Sequence, residues 1–276
     1  MNVLGENRRF SVAILISCLP LVPITFFDLR VSQLVADSEN VVGKFISDYG
    51  QLPGYILIFC ALCFLFVAAS SVIEKISYSP FLVIFVLITF ANLVEYLNTV
   101  IAGFVLLLVA ILATLISLRL KKNETVLQFS RITALLAVIT PLFMVQTLKW
   151  LWGRTRFRDL SSDFSDFTLW FLPQGPTVHR SFPSGHAAMG WMLLPLVLLA
   201  NSPKQLLIIS KLVIFWGILV SAGRVVSGAH YLSDVYLSML MSIWTFVILK
   251  IRLTRLPYSG RDYSGRAYSG RVSRHV

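Results

Sequence analysis

Three short clusters hold most of the residues in this chain that could do chemistry. The first is Lys149-x6-Arg156, with Arg154 and Arg158 interleaved. The second is Ser181-Phe182-Pro183-Ser184-Gly185-His186, which opens an apolar run. The third is Gly223-Arg224, followed by His230 and Asp234. Lys149, Arg156 and Arg224 bring cations without an equal number of nearby acids, and the guanidinium fork suits phosphate oxygens. Ser184 and Gly185 fall at an expected helix N-terminus, where free N–H groups and the dipole favour an anion. Glycine there lets the backbone approach closely. His230 and Asp234 are four apart and share a face on a helical turn. Asp234 can accept a hydrogen bond from one ring nitrogen, fix the tautomer and leave the other nitrogen to attack. His186 then remains to protonate a leaving oxygen. Nucleophile, orienting carboxylate, acid and anion cradle together specify phosphoryl transfer through a covalent phosphohistidine.

Such groups need elements that bring them to one place. The chain of 276 residues is 57% hydrophobic and only 13% charged, with a mean hydropathy of +0.78. An ordinary soluble domain is about 25% charged. Disorder is excluded, and a soluble globule does not fit. The apolar runs reach the ~20 residues that cross a bilayer and are continuous, not alternating, which excludes a membrane β-barrel. The expected fold is all-α, a polytopic transmembrane helix bundle of about eight spans, near 10–27, 52–73, 80–97, 100–118, 131–149, 185–200, 206–222 and 232–250. A hairpin around Asn98 and Thr99 divides the third from the fourth. Residues 28–51 read as an amphipathic helix on the outer interface. Basic residues fall before the first span, after the second, fourth and sixth, and in the tail, so both termini are expected to be cytoplasmic. All three clusters then lie on the opposite, outer face of a cytoplasmic (inner) membrane. Residues 1–250 form the transmembrane domain and 251–276 a basic, low-complexity tail with a Tyr-Ser-Gly-Arg repeat. About half of the formal net charge of +11 falls from Lys250 onward, seven basic residues against Asp262, which suits a lipid surface and need not mean nucleic acid.

The motifs Lys149-x6-Arg156, Pro183-Ser184-Gly185-His186 and Arg224-x5-His230-x3-Asp234 resemble those of the type-2 phosphatidic acid phosphatase superfamily in residue type, spacing and order. The resemblance covers about residues 130–250 and points to the membrane lipid phosphatase branch. It implies a six-helix catalytic core, with spans three and four as an inserted hairpin. It implies that Lys149, Arg156, Ser184, Gly185 and Arg224 bind phosphate. His186 would be the general acid, His230 the nucleophile and Asp234 its partner, with no metal and no cofactor. The chain departs from the family pattern at Phe157, where proline follows the first-motif arginine, and at Gly223, where serine precedes the third-motif arginine.

Arg154, Arg158 and Arg180 are candidate substrate contacts, for a second anionic group or for lipid headgroups. The segment between Arg156 and Pro183 mixes aromatic residues with charges and reads as a loop on the membrane beside the site. The expected substrate is a phosphomonoester or diphosphate of a lipid within the bilayer; phosphatidate, phosphatidylglycerophosphate, a polyprenyl diphosphate and a phosphorylated glycolipid of lipid A type all stay open, with a phosphorylated glycolipid or a lipid diphosphate preferred to simple phosphatidate. A lipid phosphotransferase using the same site is the alternative. A transporter is disfavoured, since the ionisable groups cluster at span ends instead of mid-membrane. Cys60 and Cys63 have a redox spacing but lie within an apolar run, which makes them packing residues. The sequence leaves the oligomeric state open.

Overall fold

The computed structural model describes residues 3–255; the tail repeat lies outside the described residues. Every regular element among them is helical. The helices are α1 (Val3–Cys18), α2 (Leu21–Val35), α3 (Val41–Tyr49), α4 (Leu52–Ala68), α5 (Val72–Tyr96) and α6 (Thr99–Leu120). Then come α7 (Glu124–Ala137), α8 (Val145–Trp152), α9 (Gly185–Gly190), α10 (Pro203–Val226) and α11 (Leu232–Arg255). Single polar residues at the ends of apolar runs start these helices. Asn40, Ser71, Asn98, Asn123, Ser184 and Ser202 each accept a backbone N–H from the first turn that follows. The hairpin expected at Asn98 is one of them, with its Oδ1 taking the Val100 N–H at 2.8 Å.

Seven helical segments are long and apolar enough to cross a bilayer. The sixth expected span, here Gly185–Leu199, is shorter than that criterion. Its last nine residues, Trp191–Leu199, form a 3-10 helix. At 1.5 Å per α-helical and 2.0 Å per 3-10 residue, α9 and this stretch together reach about 27 Å. The segment runs antiparallel to α10: a Cβ on Gly190 would meet Val220, and one on Gly217 would lie 2.6 Å from the Trp191 ring. Close approach at small residues is how helices pack where hydrophobic exclusion offers no drive.

The first span differs from the expected 10–27. A break at Leu19–Pro20 divides it, and α2 continues to Val35, so that Phe10–Val35 makes one crossing. Nor does 28–51 form a single helix on the interface. Its second half, α3, packs on the end of α10 through Gly43, Ser47 and Gly50, which face Val226, Gly223 and Val220. The apolar residues Val41 and Phe45 point outward. In lipid the small face is the one that packs. Between α7 and α8 the chain takes a π-helical turn, Val138–Met144, around Pro141, which has no N–H to give.

Candidate active site

Lys149 ends α8, and the turn that follows decides where the next arginines go. Gly153 caps α8 in the left-handed region at φ 54°, and a Cβ there would lie 2.2 Å from the Gly175 carbonyl oxygen. Only glycine fits. Beyond it the chain sends Arg154 inward, while Arg156 lines a chamber of about 320 Å³.

Arg154 is 0% exposed. Its Nη1 donates to Asp234 Oδ1 at 2.6 Å and to Ser233 Oγ at 2.8 Å. Its Nη2 donates to Asp28 Oδ2 at 2.8 Å and its Nε to the Thr168 carbonyl at 3.0 Å. The Tyr231 ring stacks against the guanidinium, 4.0 Å from Cζ. Asp28 in turn accepts the Ser233 N–H at 2.9 Å and its hydroxyl at 2.5 Å. This arginine is fully buried among protein groups, so the expected contact with a second anionic group has no opening here.

Asp234 is anchored from four sides. Besides Arg154, it accepts the Ser181 hydroxyl at 2.5 Å and the Tyr231 N–H at 3.1 Å, while its own carbonyl takes the Ser184 N–H at 3.3 Å. Its Oδ2 stands 3.5 Å from His230 Nδ1. That contact orients the ring but is longer than a good hydrogen bond; such contacts tighten in working complexes. His230 is 1% exposed. Burial strips the imidazolium of hydration, and Arg224 and Lys149 add repulsion, so its pKa falls to about 3 despite the pull of Asp234. The ring is neutral at physiological pH.

The chamber is lined by Lys149, Arg156, Arg180, Gly185 and His186 at one end. Its remaining wall is mostly apolar, with Tyr55, Phe85, Pro141 and Met189. Arg156 Nε is buried with no hydrogen-bond partner among the described residues, a donor that an anion would satisfy. Lys149 Nζ donates to the Arg180 carbonyl at 2.7 Å. Gly185 stands against Lys149, with 3.8 Å between a notional Cβ and Cε. His186 is within electrostatic reach of Arg224, His230, Lys149 and Arg156. Ser184, Arg224 and His230 are buried beside this wall. Ser184 caps α9 through the Ala187 N–H, and Arg224 Nη1 donates to Ser47 Oγ of α3.

The eight motif residues expected to bind phosphate or act on it therefore meet at one end of the bundle. Of the flanking arginines, Arg180 lines the chamber, while Arg158 is exposed beside Asp159 at 3.8 Å. The loop after Arg156 is pinned from within: Trp170 Nε1 donates to Thr25 Oγ1 at 2.8 Å, and Phe167 packs edge-on against Tyr231. Sequence reasoning missed Asp28, Ser47 and Ser233, and placed Ser181 in the second cluster without giving it a partner. Asp28 carries a signal, since an acid inside an apolar run is costly unless paired.

Residues 131–256 match the family model described as the PAP2 superfamily. That segment, a little under half of the chain, is similar to the PAP2 superfamily. The match takes in all three motifs and implies phosphatase-type activity on phosphate esters. Comparison with curated proteins and with solved structures gives no match. The matched segment begins at Arg131 in α7, so α1 to α6 lie outside it, yet α2 supplies Asp28 and α3 supplies Ser47 to the site.

Proposed function

We propose that this protein is an integral-membrane lipid phosphate phosphatase that works through a phosphohistidine without a metal ion. One observation carries the reading: cations and His186 cap one end of a chamber whose remaining wall is mostly apolar and lies among membrane-crossing helices. A phosphate with an apolar chain matches that division, and a soluble phosphate ester uses only the polar end.

In this mechanism Lys149, Arg156 and Arg224 neutralise the phosphoryl oxygens, together with the backbone N–H groups at the start of α9. The nitrogen of His230 turned away from Asp234 attacks phosphorus. The bond from phosphorus to the lipid oxygen breaks, and His186 gives that oxygen its proton. Water then attacks the phosphohistidine, giving up a proton to His186. Phosphate leaves and His230 is neutral again. Asp234, held by Arg154, Ser181 and the Tyr231 N–H, keeps the ring in place and stabilises its charge as the bond to phosphorus forms. A second phosphate on the lipid would meet Arg180, the flanking arginine that reaches the chamber. The site faces the outer side of a cytoplasmic membrane, as the distribution of basic residues supports.

The test is phosphate release by the purified protein from phosphatidate, a polyprenyl diphosphate and a phosphorylated glycolipid, with EDTA present throughout. We expect release from at least one of them and none from His230→Ala. Full activity in His230→Ala, or activity lost in EDTA and restored by magnesium or zinc, would sink the mechanism.

A further inference from the structure

A second cavity of about 370 Å³ lies among the same helices as the chamber. The two are stacked along one seam. On α4, Tyr55 faces the chamber and Leu62 the second cavity; on α5, Ile88 faces the first and Phe81 the second. Along the rod from α7 to α8, Pro141 belongs to the chamber and Leu135 to the second cavity. Phe85 lines both and is itself 3% exposed, so it stands at their join. Both α5 and α7 pack on α4, which leaves the seam between them as the passage.

We propose that this seam holds an apolar chain of the substrate, acyl or prenyl, whose phosphate sits among Lys149, Arg156 and His186. The inference rests on the lipid phosphatase reading and adds where the chain goes. Charge is confined to the ends. The chamber end carries the cations that hold phosphate, and the far end carries Arg131. Between them the walls are largely hydrocarbon. Along the rod the eighteen steps from Arg131 to Lys149 would rise about 27 Å as α-helix, and the π-helical turn at Val138–Met144 shortens this a little. An extended chain advances about 1.3 Å per bond, taken from 3.8 Å over three backbone bonds. The seam therefore takes a chain of roughly twenty carbons. Because the cavity shares Phe85 with the phosphate chamber, the occupant is the substrate's own chain and not a bystander lipid. One wall is α5, so the hairpin outside the matched segment acquires a role in selecting the substrate.

The experiment measures kcat/KM on the full chain in detergent for three esters: phenyl phosphate, octyl phosphate and octadecyl phosphate. Ala134→Phe puts a ring into the second cavity, which Ala134 lines. It should lower the octadecyl-to-octyl ratio about tenfold, the worth of burying two methylenes, and leave the octyl-to-phenyl ratio within about twofold. Phe85→Leu widens the join and should raise the octadecyl-to-octyl ratio severalfold. Since both readouts are ratios, a smaller folded fraction cancels. Ratios unchanged in both variants would overturn the groove and mean that bulk lipid fills it. Failure of the unmodified protein to release phosphate from any of the three would overturn the phosphatase reading instead.

Discussion

Arg154→Met removes the guanidinium that two buried carboxylates share. In the protein Asp28 lies 2.8 Å and Asp234 2.6 Å from it, and all three side chains are at most 1% exposed. Breaking one buried pair by deleting a partner typically costs about 3–5 kcal/mol, because a charge is left without compensation. Here two carboxylates are stranded, but each keeps other donors. Asp28 retains the Ser233 N–H and hydroxyl, and Asp234 retains Ser181 and the Tyr231 N–H. The net cost should stay near about 3–5 kcal/mol and not double. At roughly 2–4 °C per kcal/mol for a chain of this size, Tm should fall by about 10 °C. Thermal unfolding in detergent, followed by loss of helix signal, measures it. Turnover should fall as well, with KM less affected, since Asp234 loses the partner that fixes it beneath His230. Arg158→Met is the control: its contact with Asp159 is long and exposed, and such pairs contribute about 0–1 kcal/mol. If Arg154→Met unfolds within about 2 °C of the unmodified protein, the reasoning about the buried network is refuted.

Three further outcomes are expected. Folded His230 titrates near 3, against about 6.5 when unfolded. The unfolded chain therefore takes up this proton first, and stability from this group falls as pH drops through that window, by up to about 1.4 kcal/mol per pH unit. Tm between pH 7 and pH 5 should drop less in His230→Gln, and an equal drop would remove the assignment. Gly217→Val should destabilise by about 1–3 kcal/mol through overpacking, since even a Cβ would lie 2.6 Å from the Trp191 ring; denaturation of the variant should show it, and Trp191→Leu in the same chain should recover part of the loss. For orientation, cysteine at Ser162 should react with an impermeant thiol reagent on intact cells and cysteine at Ser259 should not, the reverse pattern placing the site on the other side.

The parts of the site that could be read in the sequence are those written as local spacing. Lys149-x6-Arg156 straddles a helix end, Ser184 is a cap, and His230-x3-Asp234 spans one turn, so their meeting at one end follows from counting spans. Asp28 could not be assigned this way. It meets Arg154 from 126 positions away, and only the packing of α2 beside α11 brings them together. The same absence of long-range information led Arg154 to be placed on the substrate, although burial fits it for holding Asp234. On α3 the reading followed the apolar residues to a helix lying on the interface and gave no part to Gly43, Ser47 and Gly50, the small residues that pack on α10. The chamber itself has no sequence signature. It arises where the π-helical turn at Pro141 faces α4 and α5.

The 3-10 stretch behind His186 has a consequence for the surrounding lipid. Its period of three puts Leu193, Leu196 and Leu199 in one file, and Met192 and Pro195, both buried, in another. One short segment thus separates a lipid face from a core face, and its length can be compared with its neighbour's. The segment reaches about 27 Å, whereas the 24 residues of α10 reach about 36 Å. A bilayer matched to the shorter segment leaves α10 to tilt, and one matched to α10 pulls on the stretch of structure that carries His186. Hydrophobic mismatch is thereby borne by the helix that opens at Ser184 and His186, and turnover should depend on acyl-chain length in the host membrane even when the substrate is unchanged.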